Sequence, residues 1–294
     1  MAKRRVIFAL LSYLWLIAAF FLCGWRQYHV GDGTVACAAD ESQCGCGLRW
    51  PSDAEVRYTI DSNGLPGLER TALVTAIDSA FATWRALLCD GEPLPVRLVN
   101  NGSGTPTPVG GTCTHSDPTS GACDTATNNG NYVQFFTNEQ AWSDTSHQGL
   151  YVYALTVLTF TPRTGEIFDA DILVNAANHK YCLTKCADDV LCNTLTHEVG
   201  HLLGLDHSKD PKATMSPSAL PGDTNKCAMH ADDRLGMCTI YRSVCAQRAG
   251  EEPSNCSAAP AQPVGGSSFL WFCLVGILGL GVWRVRTRLN IHSK

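Results

Sequence analysis

Apolar and polar positions alternate over Val56-Arg57-Tyr58-Thr59-Ile60, which predicts a half-buried strand closed by the turn residues Asp61-Ser62-Asn63-Gly64. The period then changes. Leu73, Ala76, Ile77, Ala80, Phe81, Trp84 and Leu88 recur at steps of three and four, so residues 68–88 predict an amphipathic helix with these side chains on its buried stripe. Compact apolar runs predict strands at 96–99, 132–136, 151–160 and 168–174, the last two joined by a turn at 162–165. Residues 100–131 are rich in Gly, Thr and Asn and read as a long loop, which Cys113 and Cys123 are placed to staple. A further helix is predicted from about 188 to 203, with Asp188 and Asp189 in its first turn where the helix dipole favours them. A short closing helix follows from about His230 to Tyr241. No internal repeat is present.

The two ends differ from the middle. Lys3, Arg4 and Arg5 precede an apolar run over residues 6–23, so residues 1–25 read as a signal peptide or an uncleaved anchor. Residues 26–48 are a polar linker or short pro-segment, and 49–244 form the folded domain. Residues 245–268 have the Pro/Ser/Gly composition of an extended linker. A second apolar run, 269–283, follows Gly265-Gly266-Ser267-Ser268 and is succeeded by Arg284, Arg286 and Arg288. It reads as a transmembrane or sorting segment, with 284–294 as a basic cytoplasmic tail by the positive-inside rule. The order of small residues, apolar run and arginines resembles the C-terminal sorting signals of secreted bacterial proteins, which implies a sorting protease as a partner. Either reading leaves the domain outside the cytoplasm, at the cell surface or released. A net charge of −5 without a basic patch argues against nucleic acid as a partner. The 15 cysteines argue for an oxidising compartment and a disulfide framework. Without Cys23 and Cys273 in the apolar ends the remainder is odd, so at least one is not paired within the domain.

The densest chemistry lies in His197-Glu198-Val199-Gly200-His201-Leu202-Leu203-Gly204-Leu205-Asp206-His207. On a helix, positions i and i+4 share a face, so His197 and His201 can grip one metal ion. Continued as a helix, the chain would carry His207 about 240° round from His201. Gly204 removes that difficulty, because a helix-end glycine takes the left-handed conformation and lets the chain fold back. Three neutral imidazoles with a fourth position left for water are the donor set of a catalytic zinc site. Glu198 is then placed to act as the general base toward that water.

Together with this motif, Met215 eight residues past His207, Ser208, the Ala213-Thr214-Met215-Ser216-Pro217 turn and the Asp232-Asp233…Tyr241 segment resemble the matrixin branch of the metzincin metallopeptidases, in its secreted bacterial form. The resemblance runs from about 49 to 241. It implies an α/β (α+β) catalytic domain, stapled by disulfides, with a five-stranded mixed twisted sheet, an antiparallel edge strand at 151–160, a long active-site helix and a small C-terminal subdomain. A protein or peptide substrate would dock along the edge strand by β-augmentation. Met215 would form a hydrophobic floor beneath the imidazoles, residues 216–226 would shape the primed-side pocket, and Asp232 and Asp233 would brace the Met-turn. The resemblance further implies a zinc endopeptidase with one catalytic ion. The histidine set of a second, structural zinc is missing, since His115 and His147 are isolated. Asp169 and Asp171 are candidate calcium ligands, weighed against a plain role as turn and strand-end carboxylates. Cys44 or Cys46 is the candidate for a thiol that blocks the metal, set against ordinary disulfides. His179 and His230 are left out of the site. A catalytically silent or latent domain serving as a surface binding module is the alternative, and the intact Glu198 speaks against it.

Overall fold

A computed structural model describes residues 26–27, 47–116, 123–127, 130–161, 164–184, 186–242 and 289–293. Strand β1 (Glu55–Asp61) buries Val56, Tyr58 and Ile60, as its alternation predicts, but it runs on through Asp61, and Thr59 and Asp61 are buried too, so its second half is covered on both faces. It lies inside a sheet between β2 (Arg97–Gly104) and β3 (Asn131–Phe136), parallel to both. Strand β5 (Ile167–Asn175) pairs parallel with β3, and β4 (Ala154–Phe160) pairs antiparallel with β5. The domain sheet is thus five-stranded and mixed, with the expected antiparallel strand β4. A sixth segment, β6 (Leu289–Ser293), lies antiparallel along the outer edge of β4, with Leu289 opposite Leu158 and Ser293 opposite Ala154.

Helix α1 (Arg70–Arg85) buries Leu73, Ile77, Ala80, Phe81 and Trp84. The Glu69 carboxylate caps its start by accepting from the Thr71 and Ala72 amides. The helix ends before the predicted Leu88, because Leu88–Cys89 turns into a hairpin with Glu92–Pro93. Asp90 and Gly91 at its tip take φ of 53° and 90°, as a tight two-residue turn requires.

Three expectations need correction. Residues 100–131 are not one loop: β2 continues to Gly104, and Thr112–Ser116 pairs antiparallel with Cys123–Thr127. A short helix α2 (Glu139–Ser146), capped by the Asn138 side chain, was not predicted. The long helix α3 spans Leu191–Leu202 and has no acidic first turn. Asp189 lies before it, in a two-residue strand beside Tyr181–Cys182, with its carboxylate held by His179.

Helices α1 and α3 pack together beneath the sheet, where Trp84 Nε1 donates to the Thr196 carbonyl at 2.9 Å. The last carbonyls of α3 have no partner within the helix. Trp50 Nε1 reaches Leu202 O at 2.8 Å and Tyr241 Oη reaches Leu203 O at 3.0 Å, so the end of α3 is finished from both directions along the chain. Helix α4 (Ala231–Arg242) closes the domain. Disulfides join Cys89 to Cys238, Cys182 to Cys186 and Cys192 to Cys227, and Cys113 is also disulfide-bonded. Among the described residues no helix is long and apolar enough to cross a membrane. The apolar runs at 6–23 and 269–283, and Cys44 and Cys46, lie outside the described residues.

Candidate metal centre

Helix α3 presents His197 and His201 on one face, with their Nε2 atoms 3.1 Å apart. Gly204, at φ 104°, ends the helix and turns the chain so that His207 joins them. A Cβ at Gly204 would collide with the Leu48 carbonyl, so both the conformation and the space demand glycine. The nearest ring nitrogens of the three histidines lie within 4.8 Å of one another, and His197 and His201 are buried. Among the described residues this is the one convergent group of metal-ligating side chains.

Which nitrogen faces inward follows from the hydrogen bonds. His197 Nδ1 is 2.7 Å from the Thr214 carbonyl and His201 Nδ1 is 2.7 Å from the Leu205 carbonyl. A carbonyl only accepts, so each Nδ1 carries the proton and each Nε2 turns a lone pair inward. Two lone pairs at this separation repel unless a cation lies between them. Tetrahedral zinc with nitrogens at its usual bond length would hold them roughly 3.3 Å apart. The residues therefore fit zinc. Burial, then the Lys226 ammonium and the neighbouring rings, hold the His197 pKa well below the ordinary imidazole value, which keeps its lone pair free at neutral pH.

Asp233, fully buried, anchors the Met-turn. Its carboxylate accepts from Thr214 N at 2.7 Å and Met215 N at 2.9 Å, while Ser208 N donates to Met215 O at 2.8 Å. The neighbouring Asp232 holds a different segment, accepting from Ser208 Oγ at 2.6 Å. The paired acids thus fasten the Met-turn and the third-histidine loop to one helix end. Burial raises the Asp233 pKa, and the amides of Met215 and Thr214 oppose that rise. Met215 also packs against Gly200, where a Cβ would clash with its sulfur and with Trp84. The glycine between the paired histidines is there for that contact.

Glu198 is fully buried, and Thr156 Oγ1 donates to its Oε2 at 2.7 Å. Thr156 lies on β4, so the strand that borders the centre also orients its carboxylate. Sequence reasoning missed Thr156, and it missed Lys226 as a site residue beyond the end of a loop. Lys226 is buried, and its Nζ donates to the Ser216 carbonyl beside His197.

Of the side chains left out of the site, His230 lies at the Met-turn brace, its amide donating to Asp233 and Thr214, and His179 lies elsewhere, as do His147, Asp169 and Asp171. His179 contacts Asp189 and the Leu150 carbonyl, and His147 ends α2 in the left-handed conformation. Asp171 accepts from the Gly110 and Tyr132 amides, and Asp169 is buried beside Gly111.

The matrixin family model matches residues 124–242. Those residues are matrixin-like. Over 45 residues the chain is 51% identical to macrophage metalloelastase of Oryctolagus cuniculus, covering 15% of this chain and 10% of that protein. Over 85 residues it is 40% identical to metalloendoproteinase 1 of Glycine max, covering 28% and 27%. Over 46 residues it is 44% identical to matrilysin of Homo sapiens, covering 16% and 17%. The chain thus spans about a tenth to about a quarter of the length of these relatives. The matrixin-like segment contains the three histidines, Glu198, the Met-turn and both strands next to the centre, and zinc is the metal that this family implies. The disulfides fit an oxidising compartment.

Proposed function

We propose that the chain is a zinc-dependent endopeptidase that hydrolyses extracytoplasmic proteins or peptides. The inward convergence of the His197 and His201 Nε2 lone pairs, with both Nδ1 protons committed to carbonyls, carries this reading. His197, His201 and His207 would hold one ion, and Met215 would floor the site. When bound, zinc supplies a Lewis acid that polarises the scissile carbonyl and acidifies water. Glu198 takes the proton of the attacking water on its carboxylate and delivers it to the leaving amine. Thr156 holds that carboxylate in place. The outer edge of β4 offers main-chain groups to an extended peptide, the same edge along which β6 lies.

Residues 1–25 direct export, and the apolar run 269–283 attaches the chain to the membrane or presents it to a sorting protease, while residues 289–293 stay with the domain along β4. A silent binding module is the weaker reading, since such a domain has no use for a buried glutamate held by a threonine hydroxyl.

The test is mass-spectrometric cleavage profiling of a peptide library with the purified full-length chain, alongside Glu198→Ala. Cuts that vanish in the variant and on chelation support the endopeptidase. A folded, zinc-loaded wild-type chain that makes no cuts refutes it.

A further inference from the structure

Lys226 is a lysine held almost entirely out of water, at 5% exposure, against the side of His197 that faces away from the metal position. An ammonium has three protons to donate. One goes to the Ser216 carbonyl. His197 Nδ1, at 3.5 Å, cannot accept another, because its own proton already points to the Thr214 carbonyl. No carboxylate lies within ion-pair distance of Lys226 Nζ among the described residues, and Glu198, Asp233 and Asp223 act on it only from farther away. A buried cation with one neutral partner is an expensive arrangement that an incoming anion would relieve.

The position is enforced. Cys192 and Asn193, adjacent in the first turn of α3, grip Cys227 and Lys226, adjacent in the loop: the first pair by a disulfide, the second by Asn193 Oδ1 accepting from Lys226 N at 2.8 Å. Ser216, whose carbonyl takes that proton, is also the point where the Lys226 site meets an open cleft of about 550 Å³ that runs along the third-histidine loop past His207, Lys209 and Pro217; Lys226 itself lies behind Ser216 and not in the cleft wall.

The register of the sheet gives the direction. A chain antiparallel to β4, as β6 is, runs its C-terminal half toward Ala154. At that end His179 bridges the Leu150 carbonyl and Asp189, just before α3 begins, and Tyr181 Oη donates to the Tyr153 carbonyl. The first turn of α3, and with it Lys226, therefore lies on the C-terminal side of a docked peptide.

We propose that Lys226 is a specificity-determining residue that selects an aspartate or glutamate immediately C-terminal to the scissile bond. The inference rests on the endopeptidase reading and names the substrate class of that site. It calls for a peptide series in which only that residue varies (Glu, Gln, Leu, Lys), cleaved by the full-length zinc-loaded chain, and by Lys226→Met and Lys226→Arg. In the wild type, kcat/KM for Glu exceeds that for Gln and Leu by roughly ten- to a hundred-fold, the range of a charge-assisted hydrogen bond. Lys226→Arg keeps the preference, and Lys226→Met abolishes it or turns it toward Leu. Wild-type rates that are equal for Glu and Gln, or highest for Leu, overturn the inference while leaving the endopeptidase intact, and they do so even if Lys226→Met fails to fold. Binding of the same peptides to Glu198→Ala, followed by fluorescence anisotropy, must show the same order. If the wild type cleaves none of the series and Glu198→Ala binds none, the endopeptidase reading falls and this inference falls with it.

Discussion

Replacing Gly200 with alanine adds one methyl group to the interior of α3, a change that ordinarily stabilises a helix by about 1 kcal/mol. Here the new Cβ would lie 2.9 Å from Trp84 Cζ2 and 3.1 Å from Met215 Cε, and closer still to the Met215 sulfur. Comfortable carbon contacts begin at roughly 3.5 Å. The indole cannot retreat easily, and the thioether can do so only by leaving its present position. The Trp84 ring is tied through Nε1 to Thr196, and the Met215 backbone is held by Asp233 on one side and Ser208 on the other. Overpacking of this kind costs about 1–3 kcal/mol, so the helix gain is outweighed and the net loss is up to about 2 kcal/mol. The thioether must then move, and with Met215 as the floor of the centre, as proposed above, zinc affinity should fall by roughly tenfold, near the lower end of what disturbing a supporting residue costs. Denaturant unfolding of the metal-free protein and competition against a chromophoric chelator measure the two effects. Gly149→Ala is the control, because a Cβ there meets nothing within 4 Å. A Gly200→Ala protein that is more stable than the wild type and binds zinc equally well would refute the reasoning.

Four further outcomes follow. Chelation should lower the melting temperature of the wild type, since an ion at 1,000 times its Kd contributes about 4 kcal/mol, and it should leave a His197/His201/His207 triple alanine variant unmoved. Thr156→Val removes the hydroxyl that holds Glu198 while keeping the side-chain volume, so kcat should drop about tenfold with unchanged zinc content by atomic absorption. The Thr71 and Ala72 amides hold the Glu69 pKa below its ordinary value of 4.5, so its contribution to stability is present above that value and is lost as pH falls through the lower folded one. Acid unfolding followed by circular dichroism should therefore be shallower in Glu69→Gln. A chain ending at 288 leaves the outer edge of β4 bare, and its KM for short peptides should fall relative to the full-length protein.

The parts legible in the sequence are those whose signal is local. The three- and four-residue steps of α1, the alternation in β1 and the spacing of His197, His201 and His207 each come from one element obeying one period. Helix α2 escaped because it buries only Trp142 and Ser146, too few for a stripe. The strand extension to Gly104 escaped because β2 is the sheet's polar edge, exposed at Asn101, Gly102 and Ser103. The start of α3 was misplaced because Asp189, a good residue for a helix first turn, is committed to His179 instead. Thr156 and Lys226 gave no signal because their partners, Glu198 and His197, lie 42 and 29 residues away and only the fold brings them together.

Thr156 gives β4 two attachments. Its main chain belongs to the edge on which an extended segment can zip itself, and its hydroxyl belongs to the glutamate beneath. A strand that gains a partner along its whole length stiffens, and a stiffer β4 narrows the range over which the hydroxyl, and so Glu198, can wander. On the endopeptidase reading proposed above, docking far from the scissile bond would then become a lever on Glu198 as the proton acceptor. Longer peptides should gain in turnover number and not only in affinity, with remote main-chain contacts converted into alignment at the reacting atoms.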